Sequence, residues 1–92
     1  MSRIRLTIAY DGSSFRGWQS QPEGNTIQDN IEASLLRVSG EALRVTGSGR
    51  TDTGVHALGQ VAHFDVPESS SMNVEEWNRA LNVHLPPAIR IM

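Results

Sequence analysis

The chain has 92 residues and a formal net charge of −2; 38% of its residues are hydrophobic and 20% are charged. This length fits a single domain with a modest hydrophobic core. No apolar run approaches the length of a membrane-spanning helix, and the absence of cysteine excludes disulfides and thiolate metal sites. The short, polar N-terminus does not resemble a secretory signal, so the composition favours a cytoplasmic protein without membrane contact.

The charged residues give conflicting indications about whether the chain binds nucleic acid. A net acidic chain argues against a general nucleic-acid-binding surface. All eight basic residues are arginine, however, and arginine binds phosphates bidentately and stacks on bases. A base-composition bias in the gene would explain the absence of lysine equally well, so the arginines alone decide nothing.

The first part of the chain predicts a strand followed by a long loop. Residues 3–10 alternate between apolar and polar positions, which is typical of a half-buried strand. Residues 11–25 are punctuated by glycine and proline, which is typical of a loop. Phe15 and Trp18 are unusual there; they either hold the loop down by packing or offer their ring faces to a base.

A helix follows this loop. Asn25 is its predicted N-cap, with Gln28 completing a capping box three residues later. Gly40 suits the left-handed position that ends a helix. The apolar stripe that would face the core consists of Ile27, Ile31, Leu35 and Val38.

The second half of the chain predicts two more strands, a helix and a last strand. Residues 41–46 and 60–66 are the predicted strands. In the second helix Asn73 is the predicted N-cap with Glu76 in a capping box, and prolines end the helix. Its predicted apolar stripe consists of Val74, Trp77 and Leu81. Residues 88–92 predict a fourth strand, in which the chain stops, as a fragment of a longer protein would.

This order of elements predicts an α+β fold of the ferredoxin-like type, β-α-β-β-α-β. Right-handed crossovers would place both helices on one face of a single antiparallel sheet. The whole chain, residues 1–92, would form one domain. The glycine-rich segment 47–57 would then connect the second and third strands.

Segment 47–57, with the sequence G-S-G-R-T-D-T-G-V-H-A, is the candidate functional segment because loops on rigid scaffolds often carry chemistry. A phosphate-binding P-loop needs a lysine, which the chain lacks. A dinucleotide-binding fingerprint fails because Asp52 stands where its last glycine is required. A metal site is disfavoured because its candidate histidines lack the spacing of a zinc protease. Those candidate ligands are His56, His63, His84, Asp52 and Asp65.

Two readings of Asp52 remain after these exclusions. Asp52-Thr53-Gly54 is also the signature of aspartic proteases, but there it follows an apolar strand in an all-β fold, unlike this chain. Asp52 therefore either caps a turn or serves as a nucleophilic carboxylate. In the second reading Arg50 would keep it ionised and bind a substrate phosphate.

Several motifs together resemble the TruA-type tRNA pseudouridine synthases. G-R-T-D-T-G-V-H-A is similar to the active-site signature of that family, in which alanine is more frequent than threonine at position 53. Similar to other family segments, in the same order, are Y-D-G-S-S-F-R-G-W-Q-S-Q-P, T-I-Q-D-N-I-E-A-S-L-L, G-Q-V-A-H-F and R-A-L-N-V-H-L-P-P-A-I-R-I. The resemblance covers nearly the whole chain.

The resemblance implies an isomerase that converts uridine to pseudouridine in the anticodon stem-loop of tRNA. It assigns nucleophilic attack to Asp52 and retention of the flipped uridine to Arg50, without cofactor or metal. His56 and Arg16, which lie in the matching motifs, are further candidates for RNA contact. Family members act as homodimers and contain a second domain that supplies an active-site tyrosine. The single tyrosine here, Tyr10, belongs to another motif, so we expect that domain to be missing from this chain.

The alternative is a ferredoxin-like RNA-binding module without catalytic activity. Such modules place aromatic side chains on their central strands to stack bases. Phe64 is the one aromatic residue of the predicted third strand, and its position in the alternation places it on the core side. The sequence therefore favours the enzyme.

Overall fold

The computed structural model describes residues 2–22, 24–48, 57–67 and 70–92. In these residues the chain forms an α+β fold in the order β-α-β-β-α-β, with a short 3-10 turn after the first strand. The elements are β1 (Ser2–Tyr10), the 3-10 turn (Gly12–Ser14), α1 (Ile27–Ser39), β2 (Thr46–Gly47), β3 (Ala57–Val66), α2 (Val74–His84) and β4 (Ile89–Ile91).

The strands form one antiparallel sheet in the order β2-β3-β1-β4. The central strand β1 places Ile4 opposite Phe64 of β3, and Ile8 opposite Ile91 of β4. The two crossovers that contain the helices therefore skip one strand each: β3 lies between β1 and β2, and β1 lies between β3 and β4, while β2 and β3 pair directly. The predicted ferredoxin-like arrangement is confirmed.

One face of the sheet supplies the core. The alternation predicted for β1 and β3 is confirmed over residues 3–10 and 61–66, where every second side chain is buried and the intervening ones are partly or fully exposed. The buried members are Ile4, Leu6, Ile8, Tyr10, Ala62, Phe64 and Val66. From α1 and α2, the stripe of Ile27, Ile31, Leu35, Trp77 and Leu81 packs onto this face, with Val38 partly buried beside it. The Trp77 ring meets Phe64 edge-on at a centroid distance of 5.2 Å.

The start of α1 differs from the prediction. Its N-cap is Thr26, whose Oγ1 accepts the N–H of Asp29, and Asn25 instead adopts a left-handed conformation with φ 59°. The predicted Asn25–Gln28 capping box was wrong because Asn25 turns the chain one residue before the cap. Gln28 is 7% exposed, and its side chain bonds elsewhere.

Strand β2 is much shorter than predicted. Residues 41–46 were expected to be extended, but only Thr46–Gly47 pair with β3. The backbone of Val45 bonds to α1 side chains instead, since its N–H donates to Glu32 Oε2 (3.0 Å) and its carbonyl accepts from Gln28 Nε2 (3.4 Å). The helix thus takes the hydrogen bonds that a longer strand would have used.

The other elements follow the prediction more closely. The capping box between Asn73 and Glu76 is confirmed, and α2 ends at His84, before the two prolines. Val74 was wrongly included in the buried stripe of α2, because in the first turn it faces solvent and is 49% exposed. Strand β3 begins at Ala57, three residues earlier than predicted, since its first residue pairs with Tyr10.

Strand β4 has its outward backbone groups occupied by a side chain of α2. The N–H of Ile91 donates to Asn82 Oδ1 (2.8 Å), and the carbonyl of Ile91 accepts from Asn82 Nδ2 (2.9 Å). One amide side chain therefore bonds to Ile91 as a neighbouring strand would.

Ser34→Ala should reduce the stability of the 92-residue chain by about 1–3 kcal/mol. Ser34 is 1% exposed, and its hydroxyl donates to the carbonyl of Leu81 at 2.9 Å. That carbonyl lies in the last turn of α2, and the N–H of Leu85, four residues further on, bonds to the Asn82 carbonyl instead. Urea unfolding measures the change. The control is Ser39→Ala at the end of the same helix, and equal losses for the two variants would contradict this account.

Candidate functional site at one end of the sheet

Three connections leave the sheet at the same end. Strand β1 ends at Tyr10, which pairs with the first residue of β3, Ala57, and with the first residue of β4, Ile89. Strand β2 runs toward this end and leads into segment 48–56. The first loop and the turn before β4 meet there directly, because Asp11 N–H donates to the Ala88 carbonyl at 2.9 Å. The fold therefore gathers the segments that carry the recognised motifs.

The first loop is packed through its aromatic residues. Phe15 and Trp18 are 6% and 2% exposed, and the Trp18 ring lies 6.5 Å from the Tyr10 ring. Of the two roles considered for these residues, packing is confirmed, since buried ring faces cannot stack on a base.

The backbone of the first loop bonds to the N-terminus of α1. The N–H groups of Ile27 and Gln28 donate to the carbonyls of Gly17 and Trp18, both at 3.0 Å. The next N–H, of Asp29, donates to Thr26 Oγ1. These are N–H groups that helix geometry leaves without internal partners, so the start of α1 is occupied by protein and does not present these donors to a phosphate.

Trp18 lies directly against Gly47. A Cβ atom built on Gly47 would lie 2.6 Å from both Cε2 and Nε1 of the Trp18 ring, so only glycine allows this close approach. After Gly47, Ser48 donates both its N–H (2.9 Å) and its hydroxyl (3.0 Å) to the Val61 carbonyl. The chain is therefore held on two sides at the point where segment 48–56 begins.

A polar cluster of Gln28 and Glu32 contacts the backbone of Val45, and together with Trp18 it forms a frame around the chain at Val45–Gly47. Gln28 Oε1 accepts the N–H of Ser20 at 2.9 Å, and Gln28 Nε2 donates to Glu32 Oε2 at 3.0 Å. The same Glu32 oxygen accepts the N–H of Val45. Gln28 and Glu32 thus connect the first loop to the chain that enters segment 48–56. Sequence reasoning missed this role; the signal was the polar pair at helical spacing beside an apolar stripe.

The residues that the sequence marked most strongly, Arg50, Asp52 and His56, lie outside the described residues, as does the whole of the motif between Gly49 and His56. Their assigned roles stay predictions. The fourth candidate, Arg16, is exposed on the first loop; its N–H donates to Asn25, and its carbonyl accepts from Gln21 Nε2 at 2.9 Å. Its guanidinium is therefore available at the surface near the shared end of the sheet.

The helix-free face of the sheet carries arginines in β1. Arg3 pairs with Asp65 at 3.1 Å, and both side chains are at least half exposed, so this ion pair contributes little to stability. Arg5 lies opposite His63 on the same face. Phe64 is 1% exposed and faces the helices, as predicted, so this face lacks the exposed stacking ring of a typical RNA-binding module.

Metal ligands and membrane-spanning helices can be assessed for the described residues alone. Among them, no group of three or more potential ligands could hold a metal ion. No helix within these ranges is both long and apolar enough to cross a membrane.

Comparison with known proteins identifies the class. The profile of the family described as tRNA pseudouridine synthase matches residues 6–92. The chain therefore belongs to the tRNA pseudouridine synthase family, and the resemblance drawn from its motifs is confirmed.

Individual relatives agree with this assignment. The chain is 53% identical over 91 residues to tRNA pseudouridine synthase A of Akkermansia muciniphila, covering 99% of this chain and 34% of that protein. It is 54% identical over 92 residues to tRNA pseudouridine synthase A of Maridesulfovibrio salexigens, covering 100% of this chain and 33% of that protein. The chain is also 52% identical over 91 residues to tRNA pseudouridine synthase A of Ralstonia nicotianae, covering 99% of this chain and 32% of that protein. The chain thus spans about a third of the length of these relatives.

Tryptophan fluorescence checks the packing of the first loop. Both tryptophans, Trp18 and Trp77, are at most 2% exposed, so the folded chain should emit at short wavelength and be quenched weakly by iodide. The urea-unfolded chain is the reference for full exposure. Quenching of the folded chain close to that of the unfolded chain would contradict the buried position, and Trp18→Phe would then show which ring is exposed.

Proposed function

We propose that the full-length protein is a tRNA pseudouridine synthase that isomerises uridine in the anticodon stem-loop of tRNA. The observation that carries this proposal is the family match over residues 6–92, within which the G-R-T-D-T-G-V-H motif occurs unbroken. The fold supports it, because the connections at the shared end of the sheet all contain matching motifs. The proposed substrate follows from the printed names of the relatives and from the resemblance.

Asp52 is the proposed nucleophile. A carboxylate can attack an electrophilic carbon of the target nucleotide when its geometry is fixed, either on the base or on the ribose. The bond between ribose and base nitrogen breaks, the base turns, and a bond to base carbon five forms. The proton on that carbon goes to water and the ring nitrogen gains one, so the product is an isomer and no redox cofactor is required.

Arg50 is proposed to hold the uridine outside its stack. The reacting atoms of a paired nucleotide are hidden inside the stem, so the base must be flipped out, at a cost of a few kcal/mol. A guanidinium can occupy the vacated space and bind a neighbouring phosphate. Arg16 at the surface of the first loop and His56 in the signature motif are proposed as additional RNA contacts.

We also propose a cytoplasmic homodimer for the full-length protein. The homodimer is implied by the family resemblance, and the cytoplasmic location is proposed from the cysteine-free composition. The remaining two thirds of the relatives' length would contain the second domain and its tyrosine, together with most of the basic surface that tRNA binding requires. A net charge of −2 for this chain fits that division.

The isolated 92-residue chain should make no pseudouridine. It lacks the proposed tyrosine of the second domain and the basic surface that would hold tRNA. The measurement is mass-spectrometric nucleoside analysis after incubation with unmodified tRNA, with the full-length protein as the positive control. Pseudouridine formed by the short chain at a rate near that of the control would show that the second domain is dispensable.

Asp52→Asn in the full-length protein should abolish isomerisation and leave the fold and tRNA binding nearly intact. Asparagine keeps the shape and the turn-forming hydrogen bonds, so an Asp that only caps a turn would tolerate the change. A nucleophile cannot lose its anionic oxygen. The measurements are tritium release from uridine labelled at carbon five, thermal unfolding, and tRNA binding at fixed salt.

The three measurements separate the two readings of Asp52. A stable variant that binds tRNA and releases no tritium supports the nucleophile. A greatly lowered melting temperature would assign Asp52 to the turn. Turnover near that of the unchanged enzyme would remove it from the mechanism.

A further inference from the structure

The frame around Val45–Gly47 has a feature that a simple strand edge does not need. Both backbone polar groups of Val45 bond to side chains of α1, and the Val45 side chain is 2% exposed. Two residues later, Gly47 lies against the Trp18 ring without room for a Cβ. The chain is therefore fixed from the helix side and from the loop side within three residues.

The groups that form this frame are themselves held. Trp18 is 2% exposed, and its carbonyl accepts the N–H of Gln28. Gln28 is 7% exposed and bonds to Ser20, Glu32 and Val45. A connected, partly buried polar network of this kind resists rearrangement because a broken bond at Gln28 or Val45 leaves a buried polar group without its partner.

The frame lies where the segment that carries Asp52 begins, so it can affect the position of that residue. Segment 48–56 leaves directly from Gly47 and returns to the sheet at Ala57, which pairs with Tyr10. Trp18 lies against Gly47 at the start of this path, and its ring centroid is 6.5 Å from that of Tyr10, the residue that pairs with Ala57 at the end of the path. The base of the segment that carries Asp52 is thus set by residues that lie outside the segment.

We infer that Gln28, Glu32 and Trp18 are positioning residues for the proposed reaction, acting on Asp52 through the chain at Val45–Gly47. This inference rests on the proposed function, since the effect is on turnover. A displacement of about 1 Å in a reacting group can lower a rate by roughly a hundred-fold. Gln28 and Trp18 are buried, so substituting them removes no direct RNA contact, and we expect kcat to change more than KM for tRNA.

Glu32 offers the sharpest substitution. One of its oxygens, Oε2, accepts from both Gln28 Nε2 and Val45 N–H. Glu32→Gln can present its amide oxygen at the same place, so it should keep both bonds and near-normal turnover. Glu32→Ala removes the acceptor, and kcat of the full-length enzyme should fall by about ten- to a hundred-fold, with a much smaller change in KM for tRNA.

Gly47→Ala perturbs the frame from the other side. The added methyl collides with the buried Trp18 ring, so kcat should fall in the same manner. Trp18→Phe in the Gly47→Ala background replaces the indole by the smaller phenyl ring, and the space gained for the methyl group should restore several-fold of the lost turnover. This pair keeps the inference testable if Glu32→Ala does not fold.

Ser34→Ala is the matched control. It destabilises the same helix through its bond to Leu81 and touches neither Val45 nor Gly47. Measured well below its melting temperature, it should turn over normally. If Ser34→Ala lost as much kcat as Glu32→Ala, the loss would be one of general stability and the positioning role would be overturned. Normal turnover by Glu32→Ala and Gly47→Ala would overturn it too, with the proposed function still standing.

Hydrogen exchange separates this inference from the proposed function. Without tRNA, the peptide 45–57 of Glu32→Ala should exchange faster than that of the unchanged protein, and that of Glu32→Gln should not. If the unchanged full-length protein made no pseudouridine, the proposed function would fail. The exchange result would still show whether Glu32 holds the chain at Val45–Gly47. Equal exchange in all three proteins would overturn it.

Discussion

The bonds between the first loop and the start of α1 determine much of the arrangement at the functional end of the sheet. The carbonyls of Gly17 and Trp18 receive the first two N–H groups of the helix, at 3.0 Å each. These bonds set where α1 begins and which way its side chains point. They also fix Trp18 against Gly47, so a loop without regular structure positions both a helix and a strand.

The two helices both pack on the sheet and each bonds to the backbone at a different edge of it. The apolar stripe of α1 packs on the sheet, while its first turns place the polar pair Gln28 and Glu32 under Val45. Helix α2 contributes Trp77 and Leu81 to the core, and Asn82 to the far edge of the sheet. Each helix therefore packs in the core and also bonds to backbone at one edge of the sheet: α1 to Val45, just before β2, and α2 to Ile91 of β4.

The sequence predicted what depends on local pattern. The alternation in β1 and β3 was read correctly because each strand buries one face, and the Asn73–Glu76 box was read correctly because all its partners lie within four residues. Arg50 and Asp52 were selected by their motif, which is itself local.

The sequence failed where the partner lies far along the chain. Asn25 and Thr26 are both good N-cap residues, and the choice between them depends on how the first loop meets the helix. The shortening of β2 depends on Gln28 and Glu32, 17 and 13 residues before Val45. Nothing in the local pattern of residues 41–46 reports a competing partner for their backbone, so the frame around Gly47 could be found only from the structure.

The amide of Asn82 has a consequence for how this sheet meets other chains. Edge strands are sites where proteins join sheet to sheet or aggregate, and most are protected by charge, proline or a covering loop. Here Ile91 is satisfied by a single side chain that imitates a peptide group. These two hydrogen bonds can be released locally: rotation of Asn82 about its own side-chain bonds would expose the N–H and the carbonyl of Ile91 without unfolding any element. A strand arriving at β4 would thus exchange two hydrogen bonds for two, so joining this edge requires no net loss of hydrogen bonds at Ile91.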